Sequence, residues 1–77
     1  MESITLPSGI KLTLTDDAKT ATRYAISKGL AKAQVWLAEH PNGEEEYLLL
    51  IDNKPEFVSQ SYEAIGAHVD MLALAVT

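Results

Sequence analysis

Cysteine is absent from the chain. Its absence removes disulfide staples, thiol catalysis and zinc sites built on thiolates. Basic charge is scarce: six Lys and Arg stand against eleven Asp and Glu, for a net charge of -5. That balance opposes the phosphate attraction on which most nucleic-acid binders rely, and binding to nucleic acid is not expected. No uninterrupted apolar run approaches the roughly 20 residues that span a bilayer. The opening MESITLPSGIKL places an acid and a Pro-Ser-Gly break where a signal peptide carries bases and then a long apolar stretch. The expected compartment is therefore the cytoplasm. Serine-nucleophile motifs, glycine-rich loops and recognised metal-ligand spacings are also missing, so neither an enzyme nor a cofactor or metal is expected.

What remains is apolar and short. With 77 residues, 47% of them hydrophobic and 22% charged, the chain is too apolar to stay disordered. A chain of this length buries roughly 60% of the surface it exposes when unfolded, enough for one core. Residues 1 to 77 are therefore expected to form a single domain, with no repeat, low-complexity tract or linker.

The apolar pattern predicts the elements. Ile4 and Leu6, then Ile10, Leu12 and Leu14, alternate about Pro7-Ser8-Gly9 and suggest a β-hairpin. Thr15-Asp16-Asp17 supplies a capping oxygen and two acids for a helix over about Asp16 to Lys28, stopped at Gly29. Ala18, Ala21 and Ala25 form most of its apolar stripe, which favours a close approach to a sheet. Ala33, Val35 and Leu37 then alternate up to His40-Pro41-Asn42-Gly43, where both Asn42 and Gly43 tolerate positive φ. Tyr47 to Ile51 is a continuous apolar strand, Asp52-Asn53-Lys54-Pro55 turns the chain, and Phe57 and Val58 mark a short edge strand. Ser59 or Ser61 caps a last helix with Tyr62, Ile65, Val69, Leu72 and Val76 on its stripe. The fold class is α+β, in the order ββαβββα and two-layered: hairpin, helix, three-stranded antiparallel meander, helix.

This pattern holds more apolar residues than one helix stripe and one sheet face require. Leu48 and Leu50 fall on the strand face opposite Tyr47, Leu49 and Ile51, while Met71 and Leu74 lie off the stripe of the last helix. Either the helices cover opposite faces of the sheet, or one apolar surface, the outer sheet face or the last helix, buries against another chain. A homodimer is the expected outcome, since a second copy is the commonest way for a short chain to enlarge its core.

Charge divides along the chain. Residues 1 to 38 carry five bases (Lys11, Lys19, Arg23, Lys28, Lys32) against three acids, whereas residues 39 to 77 carry only Lys54 against eight acids. Glu44, Glu45, Glu46, Asp52 and Glu56 are expected to gather at the hairpin and the next turn, facing a basic protein surface or keeping a hydrophobic strand soluble. Trp36, the only tryptophan, falls on the polar phase of its strand. It can pack under a helix, anchor a protein partner or stack on a base; if the registers align it lies on the sheet face opposite Tyr47, and either aromatic can serve as an anchor beside the acidic edge. His40 and His68 read as a hairpin residue and a helix-surface or interface residue, because neither has a nucleophile or ligand set nearby in sequence.

From residue 16 onward, the order helix, strand, strand, strand, helix is that of the double-stranded RNA-binding domain. That domain places lysines at the start of its second helix to reach phosphates. Gln60-Ser61-Tyr62-Glu63-Ala64 offers no base and one acid, so the RNA-binding chemistry is missing and no family is assigned. The expected function is a small acidic, non-enzymatic interaction domain that binds a basic protein surface. Such a chain suits an inhibitor, adaptor or accessory subunit of the kind that phages and mobile elements encode, including a nucleic-acid mimic. The alternative is a nucleic-acid-associated protein using Lys19, Arg23, Lys28 and Lys32.

Overall fold

The computed structural model describes residues 2–76, with the side chain of Val76, the last residue of the expected helix stripe, outside the described residues. The elements are β1 (Ser3–Thr5), β2 (Lys11–Thr13), α1 (Asp16–Ser27), β3 (Ala33–Glu39), β4 (Glu45–Ile51), β5 (Lys54–Ser59) and α2 (Tyr62–Val76). This α+β order is the one the sequence predicts. All five strands form one antiparallel sheet in the order β1-β2-β3-β4-β5. Among the described residues no helix is long and apolar enough to cross a membrane.

Local chemistry sets the helix ends. The Thr15 hydroxyl accepts from the Ala18 N–H at 3.1 Å and opens α1. At the other end, Gly29 (φ 102) lets its own N–H reach Ile26 O and the Leu30 N–H reach Ala25 O. This pair of bonds turns the chain sharply and returns Leu30 to the core. Ser61 caps α2, accepting from the Ala64 N–H at 3.2 Å, while Ser59 accepts from the Ser61 N–H at 3.1 Å. Each of the two serines therefore has a part at this helix start.

The two long hairpins close differently. Asp52 and Asn53 both take left-handed conformations (φ 54 and 64) in a two-residue turn between the paired Ile51 and Lys54. In the β3–β4 turn only Gly43 is left-handed (φ 91), and the Asn42 side chain instead accepts from the Glu44 N–H at 3.0 Å. The Asn-Gly pair thus works through one backbone conformation and one side-chain bond, rather than through two positive φ values. β5 is longer than its apolar residues suggest, and a register shift between Leu49 and Leu50 interrupts its pairing with β4.

One cluster holds the core together. Ala18, Ala21 and Ala25 of α1 and Ile65 and Val69 of α2 pack with Leu30, Ala33, Val35 and Leu49, and the half-buried Tyr47, Ile51, Phe57 and Leu72 lie against them. Both helices thus contribute to the same cluster as one alternate phase of β3 and β4, and they also touch each other. The short alanine side chains bring the α1 backbone close to β3. The proximity has a specific use, because β2 pairs only with Leu37 to Glu39 and leaves the first half of β3 without a strand on that side. There the Thr22 hydroxyl accepts from the buried Val35 N–H at 2.9 Å and donates to Ala18 O at 2.9 Å.

Thr22→Val keeps the shape of this side chain and removes both bonds. It is expected to lower stability by about 1–3 kcal/mol, the usual cost of an unpaired buried N–H, while Thr22→Ser retains most of the wild-type value. Urea denaturation compares the three proteins; a Thr22→Val midpoint equal to wild type would show that the bridge is dispensable.

Candidate functional site

The other phase of the sheet carries the apolar residues that the core does not use. The register places Trp36 opposite Leu48, Gln34 opposite Leu50, Leu12 opposite Ala38 and Leu48 opposite Val58. Leu48 and Leu50 thus share a phase with Trp36, as the alternation predicts. Leu12 and Ala38 are buried within this phase, and Val58 and Ile4 stand about half exposed, at 47% and 51%. Around Leu12, Ala38, Leu48 and Val58 lies a shallow apolar depression of about 270 Å³, with His40 and Glu46 at its edge. Met71 and Leu74 belong elsewhere, exposed on α2 at 56% and 78%. The residues named for a dimer interface thus lie on two surfaces, the outer sheet face and the last helix.

The acidic residues do not form a single patch. Glu44, Glu45 and Glu46 stand at the start of β4 and Asp52 just beyond its end. At about 3.4 Å per strand residue, these positions are roughly 20 Å apart. Asp52 Oδ1 faces Lys32 Nζ at 3.6 Å, Glu46 Oε1 faces His40 Nε2 at 3.5 Å, and Glu56 Oε1 lies 4.0 Å from His68 Nε2. Glu44 and Glu45 are exposed on the β3–β4 hairpin. His68 also stacks parallel on Phe57, with ring centroids 4.2 Å apart, and so ties α2 to β5. Among the described residues no three His, Asp or Glu side chains converge on a position that could hold a metal ion.

Tyr47 and Trp36 lie on opposite phases of the sheet and cannot act as adjacent anchors. Tyr47 meets the Tyr62 ring edge-on at a centroid distance of 5.4 Å, and its hydroxyl donates to Asp17 at 3.5 Å. Tyr24 donates to Asp70 across the two helices, and Lys28 Nζ sits 5.4 Å from the centre of the Tyr24 ring. Trp36 instead lies along the half of β3 that β2 leaves open. A groove of about 290 Å³, mostly apolar, is lined by Leu14, Lys19, Thr22, Arg23, Gln34 and Trp36. Sequence spacing places Lys19 and Arg23 on one helix face. It does not show that they meet Trp36 and Gln34, since that depends on where β2 stops.

No protein-family model matches the chain, nor does any curated protein or solved structure.

The two tyrosine–carboxylate contacts have a pH signature. The hydrogen bond to Asp70, some burial and the Asp70 charge raise the Tyr24 hydroxyl above its ordinary value of 10.0. Burial, followed by the Asp17 charge and hydrogen bond, raises Tyr47. A raised folded value favours the protonated phenol, so any stabilisation is complete below about pH 10 and is lost as pH climbs through the folded values. Phenolate absorbance during alkaline titration is expected to show both groups ionising above 10, with one such transition missing in each of Tyr24→Phe and Tyr47→Phe. A transition at or below 10 that disappears in Tyr24→Phe or Tyr47→Phe would show that the corresponding contact does not hold in solution.

Proposed function

We propose that this protein is a small acidic, non-enzymatic interaction domain of the cytoplasm that binds a basic protein surface through the uncovered phase of its sheet. It would act as an inhibitor, adaptor or accessory subunit. The observation that carries this reading is the apolar depression around Leu12, Ala38, Leu48 and Val58, which has Glu46 at its edge and the exposed Glu44 and Glu45 close by in the same hairpin. An apolar centre with a charged rim is the usual anatomy of a protein contact: the centre supplies affinity by excluding water, and the rim supplies rate and choice of partner. A matching partner would offer an apolar side chain bordered by lysine or arginine. This reading takes the fold as two-layered, with both helices behind the sheet.

A second copy is the other occupant this face supports, through Leu48 and Leu50 rather than Met71 and Leu74. A two-fold axis brings the same apolar surface together from both chains, but it also brings like-charged hairpins into the same interface. Charge therefore favours a basic partner.

The double variant Leu48→Asp/Val58→Asp places charge in the depression without touching the core cluster. It is expected to lose the partner that the wild-type chain captures from its native host, with a thermal melt that stays cooperative although lowered by the like charges facing across β4 and β5. Glu44→Lys/Glu46→Lys is expected to slow association with that partner, and the difference should shrink as salt is raised. Equal capture by the wild-type chain and the aspartate variant would remove the sheet face as the binding surface. Sedimentation at micromolar concentration gives twice 8.4 kDa if a second copy already covers the face.

A further inference from the structure

We propose that the groove beside Trp36 binds a small ligand in which a flat ring carries a single phosphate, a nucleoside monophosphate being the simplest example. This site adjoins the proposed protein contact at the Trp36–Leu48 pair but shares no lining residue with it, since its residues come from α1, the first half of β3 and Leu14.

The charge available there matches one anionic group. Lys28 lies over the Tyr24 ring and Lys32 pairs with Asp52, so the four-base strip expected from the sequence contracts to Lys19 and Arg23. Among the described residues neither Lys19 nor Arg23 makes an ion pair, and both are exposed. They stand four residues apart on α1, where side chains emerge about 5–6 Å from one another and can bracket one phosphate. Arginine presents a planar fork to such a group, and lysine adds a point charge. The acids at the start of the same helix do not line the groove, and Asp17 is turned to the Tyr47 hydroxyl.

The opposite wall matches a flat ring. Trp36 and Gln34 alternate on β3 and share one phase, so their side chains rise about 7 Å apart. A base stacked on the indole would bring its polar edge toward the Gln34 amide, which can donate and accept at once. Thr22, between the walls, has its hydroxyl committed to Ala18 O and the Val35 N–H, so it shapes the groove and leaves recognition to the other residues. A volume of about 290 Å³ lies at the small end of ligand pockets and suits one nucleotide rather than a strand. The net charge of -5 likewise disfavours a long polyanion, whose many phosphates would meet only two cations.

Trp36 is the only tryptophan and lines this groove, so its fluorescence reports occupancy there. The probes are adenosine monophosphate, adenosine, inorganic phosphate and a 5′-phosphorylated single-stranded tetranucleotide. The monophosphate is expected to quench Trp36 saturably, binding at least about tenfold tighter than adenosine or phosphate, because stacking and charge act together. The tetranucleotide should bind no tighter than the monophosphate. Lys19→Ala/Arg23→Ala should weaken the monophosphate about tenfold or more and leave thermal melting unchanged, since both side chains are exposed. Calorimetry on Trp36→Leu should show a comparable loss while adding no charge. Lack of saturation at millimolar monophosphate would overturn the proposal, as would equal binding of phosphate alone or wild-type affinity in the Lys19/Arg23 variant. A tetranucleotide tighter by tenfold would replace the single-nucleotide site with a strand-binding path.

Discussion

The Thr22 hydroxyl joins the first helix to the sheet, and much of the arrangement depends on this junction. β2 is three residues long against seven in β3, so the buried Val35 N–H has no strand partner. A buried N–H without an acceptor costs more than most single packing contacts contribute. The side chain that satisfies it also bonds its own helix, at Ala18 O. That double commitment holds α1 against the open half of β3, and the alanine stripe lets the helix come near enough. The nearness of Lys19 and Arg23 to Trp36 follows from this docking, and so does the burial of the alanines.

The molecule separates its polar chemistry by surface. One phase of β3 and β4 meets both helices and is closed by Val35, Leu49, Ile65 and Val69, all fully buried. The other phase keeps Leu48, Leu50 and Val58 out of the core cluster, with acids at the β3–β4 hairpin and the basic groove along the first half of β3, where β2 is absent. An acidic corner and a basic groove therefore coexist on a chain with a net charge of -5. Screening at physiological salt confines each field to about 8 Å, well short of the strand length that separates the Glu44–Glu46 corner from the far end of β4.

The order of elements was legible because each boundary has local chemistry: the Thr15 cap, the Gly29 stop, the Asn42-Gly43 and Asp52-Asn53 turns and the Ser61 cap. The phase of Leu48 and Leu50 was legible as well, since alternation along β4 needs no knowledge of its neighbours. What sequence withheld was lateral position. Acids close in number, Glu46 and Asp52, lie at opposite ends of one strand because an extended chain spends each residue on length. The opposite phases of Tyr47 and Trp36, by contrast, follow from alternation once the register pairs Trp36 with Leu48. The groove was illegible because it arises where β2 ends, and nothing in Lys11–Thr13 announces that its ladder stops three residues into β3's partner strand.

Both outer strands of the sheet are poor templates. β1 spans only three residues. β5 contains Pro55, which has no N–H to donate, and its pairing with β4 is broken between Leu49 and Leu50. An incoming strand would meet a ladder with missing rungs on either side. The sheet can therefore be covered but not lengthened. A face is saturated once something lies on it, whereas an intact edge would recruit one chain after another into a fibre. The interruptions in β5 thus deny the exposed edge the unbroken ladder along which such fibres grow.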